Sequence, residues 1–303
     1  MFDLGPPPAR ILADAELVRT LIADQFPQWA DLPVRPVTTQ GWDNQTFHLG
    51  ELMLVRMPTA AEYALAVEKE HRWLPVLAPL LPLPVPAPLA QGSPGAGFSH
   101  PWSVYGWLAG SPAEPENIAD RTRLATDLAG FLTSLRSIDP ATGPGPGTHN
   151  WYRGGPLGTF EAMAWAALQT LAGYVDADRV RAVWQAALNA PWDRQPVWFH
   201  GDIATGNLLV RGGELGAVID FGTCGVGDPA CDLAIAWTLL SGESRAAFRD
   251  TLGVDDDTWS RGRGWALWKA LVTSAGAAGE DASDLPGELA VLNEILTDYE
   301  QSR

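Results

Sequence analysis

The residues best suited to chemistry in this sequence lie between His200 and Gly222. Asp202 precedes Asn207 by five positions, and Asp220 follows after a glycine-centred turn. One carboxylate can hold an attacking hydroxyl, while an amide and a second carboxylate can hold magnesium, and phosphoryl transfer needs this combination. The spacing therefore predicts a magnesium-dependent phosphoryl-transfer site.

The sequence around these residues also predicts a hairpin. Apolar, β-branched runs at 207–210 and 217–220 flank the turn residues 211–214, which is typical of two antiparallel strands. A turn centred there places Asn207 roughly opposite Asp220, with Cα atoms about 4.5–5.5 Å apart. Two oxygen ligands at that distance can share one hard cation. An ordinary surface hairpin with scattered acids is the alternative, and the joint spacing argues against it.

Three motifs in this region resemble a known family. HGDIATGN, VIDFG and GVGDPACDLA occur in order, and together they resemble the aminoglycoside phosphotransferases and related small-molecule kinases. The resemblance extends through nearly the whole chain and implies a bilobal, protein-kinase-like α+β fold. A small, mostly antiparallel sheet with a helix would form a nucleotide-binding lobe over residues 1–106. A larger, mainly helical lobe over residues 107–303 would carry catalysis and substrate binding.

The resemblance also implies roles for individual residues. Asp202 would be the catalytic carboxylate facing the acceptor hydroxyl, and Asn207 and Asp220 would hold Mg2+ against the phosphates. His200 is expected to brace its loop by hydrogen bonds rather than act as a base. The two acids of GDPACDLA are expected to be structural, with Asp232 holding the backbone of the catalytic loop.

The first lobe should supply a cation for the nucleotide phosphates and an acid to fix that cation. The place of the family's lysine is taken by Arg56, which keeps the charge but presents a planar fork. By the same resemblance Glu70 pairs with it. Glu68 is the alternative partner, since the two glutamates lie about 200° apart on a helix and only one can face inward. An outward-facing Arg56 is the remaining possibility.

The nucleotide contacts complete the expected site. Asn44 lies in a turn-rich segment between two predicted strands, where backbone N–H groups can cover phosphates. By resemblance the Gly106 carbonyl and the Leu108 N–H meet the purine edge, with Tyr105 behind it. Because these contacts are made by backbone, the sequence does not choose between ATP and GTP.

The sequence allows two predictions for the pocket that binds the acceptor. Acids at Glu280, Asp281 and Asp284 could bind a cationic amino sugar, although an acidic solvated loop is the common explanation. Several tryptophans could instead line a pocket for a larger acceptor, although tryptophans at helical spacing are usually core. These are Trp151, Trp165, Trp184, Trp259, Trp265 and Trp268.

The composition of the chain limits the classes of molecule that it is expected to bind. The formal charge of −16, from 36 acids against 20 bases, disfavours nucleic acid and anionic lipid as partners. The start of the chain shows no secretory signal, and the longest uncharged stretch is broken by prolines, so a cytoplasmic protein with free Cys224 and Cys231 is expected. Only Lys69 and Lys269 are lysines, which resembles a compositional preference for arginine.

The elements that must position the site are strands first and helices second. A helix is predicted from the N-cap Asp14 to about Phe26, followed by strands at 34–38, 46–49 and 52–57. A helix at 62–77 leads into a proline-rich extended connector and a buried strand at 102–108. Further helices are predicted around 124–138 and at 160–174, 178–189, 229–240 and 259–275.

Three functions fit these observations. The leading one is a kinase of a small-molecule hydroxyl, with an aminoglycoside or another antibiotic as the first acceptor and a sugar, amino alcohol or other metabolite as the alternative. A nucleotide-binding module with little turnover is the second, motivated by Arg56. A protein kinase is least favoured, because the segment between Asp220 and Asp232 is too short to dock a peptide.

Overall fold

An antiparallel five-stranded sheet forms the first third of the chain in the computed structural model, which describes residues 8–38, 40–280 and 284–302. The strand order is β1-β2-β3-β5-β4. The strands are β1 Val34–Pro36, β2 Asn44–Leu49, β3 Met53–Pro58, β4 Pro88–Gly92 and β5 Trp102–Gly106. β1, β2 and β3 follow one another through short turns, as their alternating burial and the intervening polar residues predict.

Two helices accompany this sheet. Helix α1, Ala15–Gln25, begins after Asp14, whose carboxylate accepts hydrogen bonds from the backbone N–H groups of Glu16 and Leu17. This is the predicted N-cap, and it satisfies N–H groups that the first turn leaves free. Helix α2, Ala61–Leu77, follows β3 and packs against the second half of the molecule.

The proline-rich segment after α2 is more than the predicted connector, because it contains β4. This strand lies at the edge of the sheet, where only one side needs ladder hydrogen bonds, and an edge tolerates proline. Pairing of Pro88 with Tyr105 is followed by a bulge before Ala90 pairs with Val104. The expectation of a plain connector is therefore wrong.

The rest of the chain is mostly helical. Its helices are α3 Arg121–Ser137, α4 Glu161–Thr170, α5 Ala177–Asn189, α6 Ile235–Thr238, α7 Gly242–Leu252, α8 Asp256–Glu280 and α9 Leu285–Gln301. The predicted helix at 229–240 is mainly a 3₁₀ turn over Pro229–Ala234 that continues into the short α6. The apolar pattern did not predict α7, in which Phe248 is the only large apolar side chain that is buried.

Two small sheets lie in this helical half and carry the predicted catalytic segment. β8, Leu208–Arg211, and β9, Glu214–Val218, form the expected hairpin, and β6, Ser111–Pro112, pairs with β8. β7, Val197–Phe199, pairs with β10, Gly225–Gly227. The loop after β7 therefore starts beside the point where the segment between β9 and β10 ends.

The buried side chains form two clusters. The smaller one lies between α1 and the sheet, and the larger one fills the helical half. Trp73, Leu74 and Leu77 of α2 and Tyr105 of β5 belong to the larger cluster, so α2 is packed as part of the second half. The α+β, two-lobed architecture predicted from the sequence is confirmed, while the boundary at 106/107 stays a prediction.

Among the described residues, no helix has the combination of length and apolar character needed to span a bilayer.

Candidate active site

Asp202 lies in the loop after β7, and Asp232 fixes the backbone of that loop. The fully buried carboxylate of Asp232 accepts hydrogen bonds from the backbone N–H groups of Gly201 at 2.7 Å and His200 at 3.0 Å. Gly201 has a φ of 90°, and a Cβ there would lie 2.7 Å from the Thr223 carbonyl oxygen, so glycine is required. These contacts agree with the structural role predicted for Asp232.

His200 is a brace for the same loop. Its Nε2 lies 3.0 Å from the carbonyl oxygen of Ile219, and its Nδ1 accepts the backbone N–H of Asp202 at 3.3 Å. One ring nitrogen therefore donates and the other accepts, which is the pattern of a neutral imidazole. The side chain is fully buried, and both nitrogens are occupied, so His200 has no free position from which to act as a base.

Both carboxylate oxygens of Asp202 have partners. Oδ2 accepts a hydrogen bond from Asn207 Nδ2 at 3.0 Å, and Oδ1 accepts one from Lys269 Nζ at 2.6 Å. Burial raises the pKa of the Asp202 carboxyl, but the neighbouring ammonium of Lys269 outweighs burial, and the net pKa is lowered. Asp202 is therefore an oriented, ionised carboxylate, the state that can accept a hydrogen bond from a hydroxyl.

The hairpin that carries Asn207 is present, but its register differs from the prediction. Leu208 pairs with Val218, and the backbone N–H of Ile219 donates to the Asn207 carbonyl at 2.9 Å. Asn207 therefore lies across from Ile219, and the expectation that it lies opposite Asp220 is wrong by one residue. A bulge at Gly216 moves the partner of Asn207 from Val218 to Ile219, so the expectation failed because it centred the turn one residue too far along the chain.

Asp220 lies just beyond the end of β9, in a left-handed backbone conformation with a φ of 66°. Its Oδ1 accepts a hydrogen bond from Arg56 Nη2 at 2.7 Å, and Arg56 Nη1 lies 3.4 Å from Glu70 Oε1. Glu70 is buried whereas Glu68 is exposed, so the choice between the two falls on Glu70. Arg56 faces inward, contrary to the alternative of an outward-facing strand residue.

The Arg56 guanidinium is held as a cation by its neighbours. Burial lowers its pKa, but the charges of Asp220 and Glu70 outweigh burial and raise it. The hydroxyl of Tyr105 donates to the second oxygen of Glu70, and the guanidinium lies 5.9 Å from the centre of the Tyr105 ring. Tyr105 therefore orients the acid that orients the cation.

These residues surround one cavity of about 760 Å³, a size typical of ligand sites. The sheet lobe and the segment directly after it contribute Asn44, Arg56, Gly106 and Leu108 to the cavity wall. The helical lobe contributes Asp202, Asn207 and Asp220. Glu70 lies behind Arg56 and does not line the cavity. Trp107, 36 % exposed, stands at its wall against the His48 ring, with the ring centres 4.3 Å apart.

Asn207 and Asp220 have the ligand atoms that magnesium prefers. Because Asn207 Nδ2 is directed to Asp202, the amide oxygen is the atom of Asn207 that remains for a cation. Within residues 8–38, 40–280 and 284–302 no group of three or more His, Cys, Asp and Glu is arranged for a metal. Mg2+ usually takes one or two protein oxygens together with phosphates and water, so an amide and a carboxylate fit this ion.

Asp43, which the sequence did not single out, also lines the cavity. Burial and the nearby charge of Asp220 raise the pKa of its carboxyl to about 7. An acid with a raised pKa binds more protons in the folded state, so its contribution to stability is present below pH 3.8 and is lost as the pH rises through about 7. The cavity therefore holds three acids, Asp43, Asp202 and Asp220.

Replacing Asp43 with Asn should stabilise the metal-free protein, and the gain should increase with pH. At pH 5 the Asp43 carboxyl of the folded protein is still protonated, whereas at pH 8 it must ionise beside Asp220. Thermal unfolding of both proteins in EDTA at the two pH values measures the effect as a difference in Tm. An equal Tm difference at both pH values would show that Asp43 does not titrate in this range.

Lys69 is a buried lysine of α2 that reaches into the second half of the molecule. Its Nζ donates to the carbonyl oxygens of Gly222 at 2.6 Å, Cys224 at 3.1 Å and His149 at 3.2 Å. Burial lowers its pKa. Three carbonyl groups around one compact ammonium form an arrangement that a planar guanidinium cannot reproduce.

Both lysines of the chain therefore lie at this site. Because 18 of the 20 Lys and Arg residues are arginines, the presence of lysine at only two positions could have indicated that these two positions require an ammonium group. The sequence predicted no role for either lysine. The contacts of Lys269 with Asp202 and of Lys69 with Gly222 join residues 67 and 153 positions apart.

Asp228 has the structural role expected of it. Its two oxygens lie 2.7 Å from Arg261 Nε and 3.2 Å from Arg261 Nη2, with both side chains 7 % exposed. It also accepts the backbone N–H of Ala230 at the start of a 3₁₀ turn. The sequence did not indicate Arg261 as its partner.

The structure treats the two predicted acceptor pockets, one lined by acids near residue 280 and one lined by tryptophans, differently. Asp281 lies outside the described residues, and the exposed Asp284 precedes α9. Trp184 and Trp259 belong to the buried core, whereas the buried Trp265 and Trp268 border a crevice beside Asp202. The structure thus brings two of the six tryptophans close to Asp202.

An antiparallel sheet lobe joined to a helical lobe, with a cavity between them and an ionised carboxylate at its edge, defines a phosphotransferase of protein-kinase-like fold. Residues 34–265 match the sequence model of the phosphotransferase enzyme family. Because this match covers most of the chain, the protein belongs to that family. No curated protein matches its sequence.

Solved structures share the fold at low sequence identity. The GDP complex of wild-type aminoglycoside 2'-phosphotransferase-IIIa has a TM-score of 0.70 at 18% identity, covering 95% of this chain and 100% of that one. The streptomycin–ATP–APH(2")-IIa ternary complex has a TM-score of 0.61 at 18% identity, with 95% and 97% covered. The macrolide 2'-phosphotransferase MphH from Brachybacterium faecium has a TM-score of 0.58 at 21% identity, with 92% and 98% covered.

Proposed function

We propose that this protein transfers the γ-phosphoryl group of ATP or GTP, bound with Mg2+, to a hydroxyl of a small molecule. One observation carries the proposal: Asn207 and Lys269 orient the Asp202 carboxylate at the edge of the cavity that Arg56, Asn207 and Asp220 also line. A cation for the phosphates, two oxygen ligands and a carboxylate for the acceptor are the parts that phosphoryl transfer requires.

Arg56 would bind the nucleotide phosphates, with Glu70 and Tyr105 fixing its direction. Its present partner Asp220 neutralises it at 2.7 Å, so nucleotide binding would share the guanidinium between a carboxylate and a phosphate. A guanidinium has enough N–H donors for both. Asn44 and its turn would cover the phosphates, and the backbone of Gly106 and Leu108 would meet the purine edge.

Asn207 and Asp220 would hold Mg2+, which neutralises charge on the phosphate oxygens when it is bound. The Asn207 amide would at the same time keep Asp202 in place, since Nδ2 donates both to its carboxylate and to its backbone carbonyl. This link would fix the distance between the acceptor side and the metal side of the site.

Asp202 would orient the acceptor hydroxyl and take its proton late. Phosphoryl transfer usually has a loose transition state, so little proton removal is needed early. A carboxylate with a lowered pKa is a weak base and a good hydrogen-bond acceptor, which suits that order of events. His200 has no part in the transfer, because its ring holds the loop.

The first acceptors to test are aminoglycosides and macrolides, since the similar structures include phosphotransferases of both. A sugar, an amino alcohol or another metabolite is the second candidate. A nucleotide-binding module with little turnover is disfavoured, because nucleotide binding alone does not need a carboxylate held in place as Asp202 is by Asn207 and Lys269.

Nucleotide binding and turnover test the proposal together. ATP or GTP with Mg2+ should raise the Tm, and an Arg56→Met variant should lose most of that rise because the phosphate cation is gone. Coupled turnover is then measured over aminoglycosides, macrolides, sugars and amino alcohols, with and without Mg2+. A chain that binds neither nucleotide, or that shows the same turnover without Mg2+, would contradict the proposal.

A further inference from the structure

A second, narrow crevice also borders Asp202. It has a volume of about 10 Å³, room for about one water molecule. Among the described residues, Asp202 alone borders both this crevice and the large cavity. The side chains of the crevice are therefore neighbours of any hydroxyl that approaches the Asp202 carboxylate, while the body of the acceptor would lie outside the crevice.

Two cations border this crevice. Lys269 Nζ lies 2.6 Å from Asp202 Oδ1. Arg153 is fixed by a hydrogen bond from its Nε to the Gly201 carbonyl at 3.2 Å, and its guanidinium carbon lies 4.5 Å from the centre of the Trp268 ring. Asp202 is the only acid among the bordering residues. Two positive charges therefore face one negative charge.

Arg153 has no acidic partner in the described part of the chain. Its Nη1 is buried without a hydrogen bond, and the aromatic rings of Phe160, Trp265 and Trp268 surround the guanidinium at 4.5–5.6 Å. Aromatic faces stabilise the cation but do not satisfy its N–H donors. An unpaired arginine beside a catalytic carboxylate is unusual in a chain with 36 acids and 20 bases.

This arrangement opposes a polycationic acceptor. An amino sugar that brings several ammonium groups to Asp202 would place them beside Lys269 and Arg153, and like charges at short distance repel. Glu288, which accepts a hydrogen bond from Thr273 one turn along α8 from Lys269, does not border the crevice. An oxyanion would instead meet Arg153, whose Nη1 has no hydrogen-bond partner, and the ammonium of Lys269, which donates to Asp202.

We propose that the acceptor carries an anionic group, a carboxylate or a phosphate, near the hydroxyl that is phosphorylated, and that Lys269 and Arg153 bind this group. The inference rests on the proposed phosphoryl transfer and names its acceptor class. Lys269 would exchange its contact with Asp202 for one shared with the acceptor, which frees Oδ1 to receive the hydroxyl.

The test compares acceptors that share a carbon skeleton and differ in one substituent and its charge. Glucosamine, glucose, glucuronate and glucose 6-phosphate form one series, and serinol, glycerol, glycerate and glycerol phosphate form another, with kanamycin and erythromycin beside them. We expect the anionic members to exceed the neutral ones in kcat/KM by about tenfold or more, the worth of a charge-assisted hydrogen bond. The carboxylate and phosphate arms show which oxyanion is preferred.

Lys269→Met should remove this preference, and Lys269→Arg should restore part of it. Because every member of a series uses the same Asp202, the ratio between members cancels any effect of the variant on that carboxylate. Arg181→Gln removes an equal charge from an exposed position of α5 and should leave the ratio unchanged. A Lys269→Met variant that lowers all members equally would overturn the inference, because Lys269 would then serve the phosphoryl group.

Failure of the inference and failure of the proposed function give different results. Nucleotide-dependent turnover of kanamycin or erythromycin in preference to every anion would retain the function and overturn the acceptor class. Binding is measured in parallel by tryptophan fluorescence, with Mg2+ and a non-hydrolysable nucleotide present. If glycerate and glucuronate bind no better than glycerol and glucose there, the inference is overturned whatever the turnover.

Discussion

Replacing Asp202 with Asn lowers turnover by about 10²–10⁴-fold, the range by which a positioned acid–base group accelerates a reaction, while nucleotide affinity changes little. The amide has the shape of the carboxylate but loses the charge that orients the hydroxyl and accepts its proton. Arg56 and Asp220, which would serve the nucleotide, have no contact with Asp202 that the change removes. Turnover by a coupled assay and nucleotide binding by thermal shift measure the two effects separately.

The control for this variant is Asp178→Asn, which removes the same charge from an almost fully exposed side chain of α5. It should leave both measurements unchanged. Activity of Asp202→Asn within tenfold of the wild type would show that another group orients the acceptor. A loss of nucleotide binding would instead show that Asp202 supports the cavity.

Replacing Arg261 with Met destabilises the protein by about 3–5 kcal/mol, because breaking a buried ion pair leaves an uncompensated charge. Asp228 loses both of its short contacts, at 2.7 and 3.2 Å. Arg261 also donates to the Pro191 carbonyl and to Thr258 Oγ1, and these acceptors lose their donor. The free energy of unfolding from chemical denaturation measures the loss.

The double variant Arg261→Met with Asp228→Asn is the matched control. The Asn side chain is neutral and can still cap the turn at Ala230, so the double variant should recover a large part of the lost stability. If it is no more stable than Arg261→Met alone, the loss comes from packing and not from the unpaired charge. A single variant within 1 kcal/mol of the wild type would contradict the prediction.

The parts of the fold that sequence reasoning predicted correctly depend on local signals. Asp14 caps the helix that begins at the next residue, and the glycine pair between β8 and β9 makes a hairpin, because both effects act within a few residues. Helix α3 was predicted from the period of its apolar side chains, all of which face one core. Glu70 was preferred to Glu68 as the partner of Arg56, and helical geometry allows only one of them to face inward.

One error concerns the register of the hairpin. The hairpin pairs Arg211 with Glu214 and Leu209 with Ala217, so Gly216 adds a residue to one strand only. Counting from the Arg211–Glu214 pair without this residue gives Val218 as the partner of Asn207, and the extra residue moves the partner to Ile219. The expected pairing with Asp220 failed because the turn was centred one residue too far along the chain. The proline-rich segment was predicted without a strand because proline suits only the edge position that tertiary structure gave it.

The contacts that could not be predicted from the sequence join segments that are far apart along the chain. Lys269 with Asp202, Lys69 with Gly222 and Arg261 with Asp228 are separated by 67, 153 and 33 positions. No periodicity or spacing relates such pairs, and each lysine or arginine alone resembles an ordinary surface residue. The motif predicted that Asp202, Asn207 and Asp220 lie near one another. The charged groups that surround them could be identified only from the folded structure.

The buried ammonium of Lys69 has a consequence for how the protein is controlled. Kinases that respond to signals move the helix that carries the acid partner of the phosphate-binding cation. Here that helix is α2, and moving it would strip three carbonyl oxygens of their shared donor inside the protein. These contacts favour one position of α2, so under the proposed function the rate of phosphorylation would follow the supply of nucleotide and acceptor and not a movement of this helix.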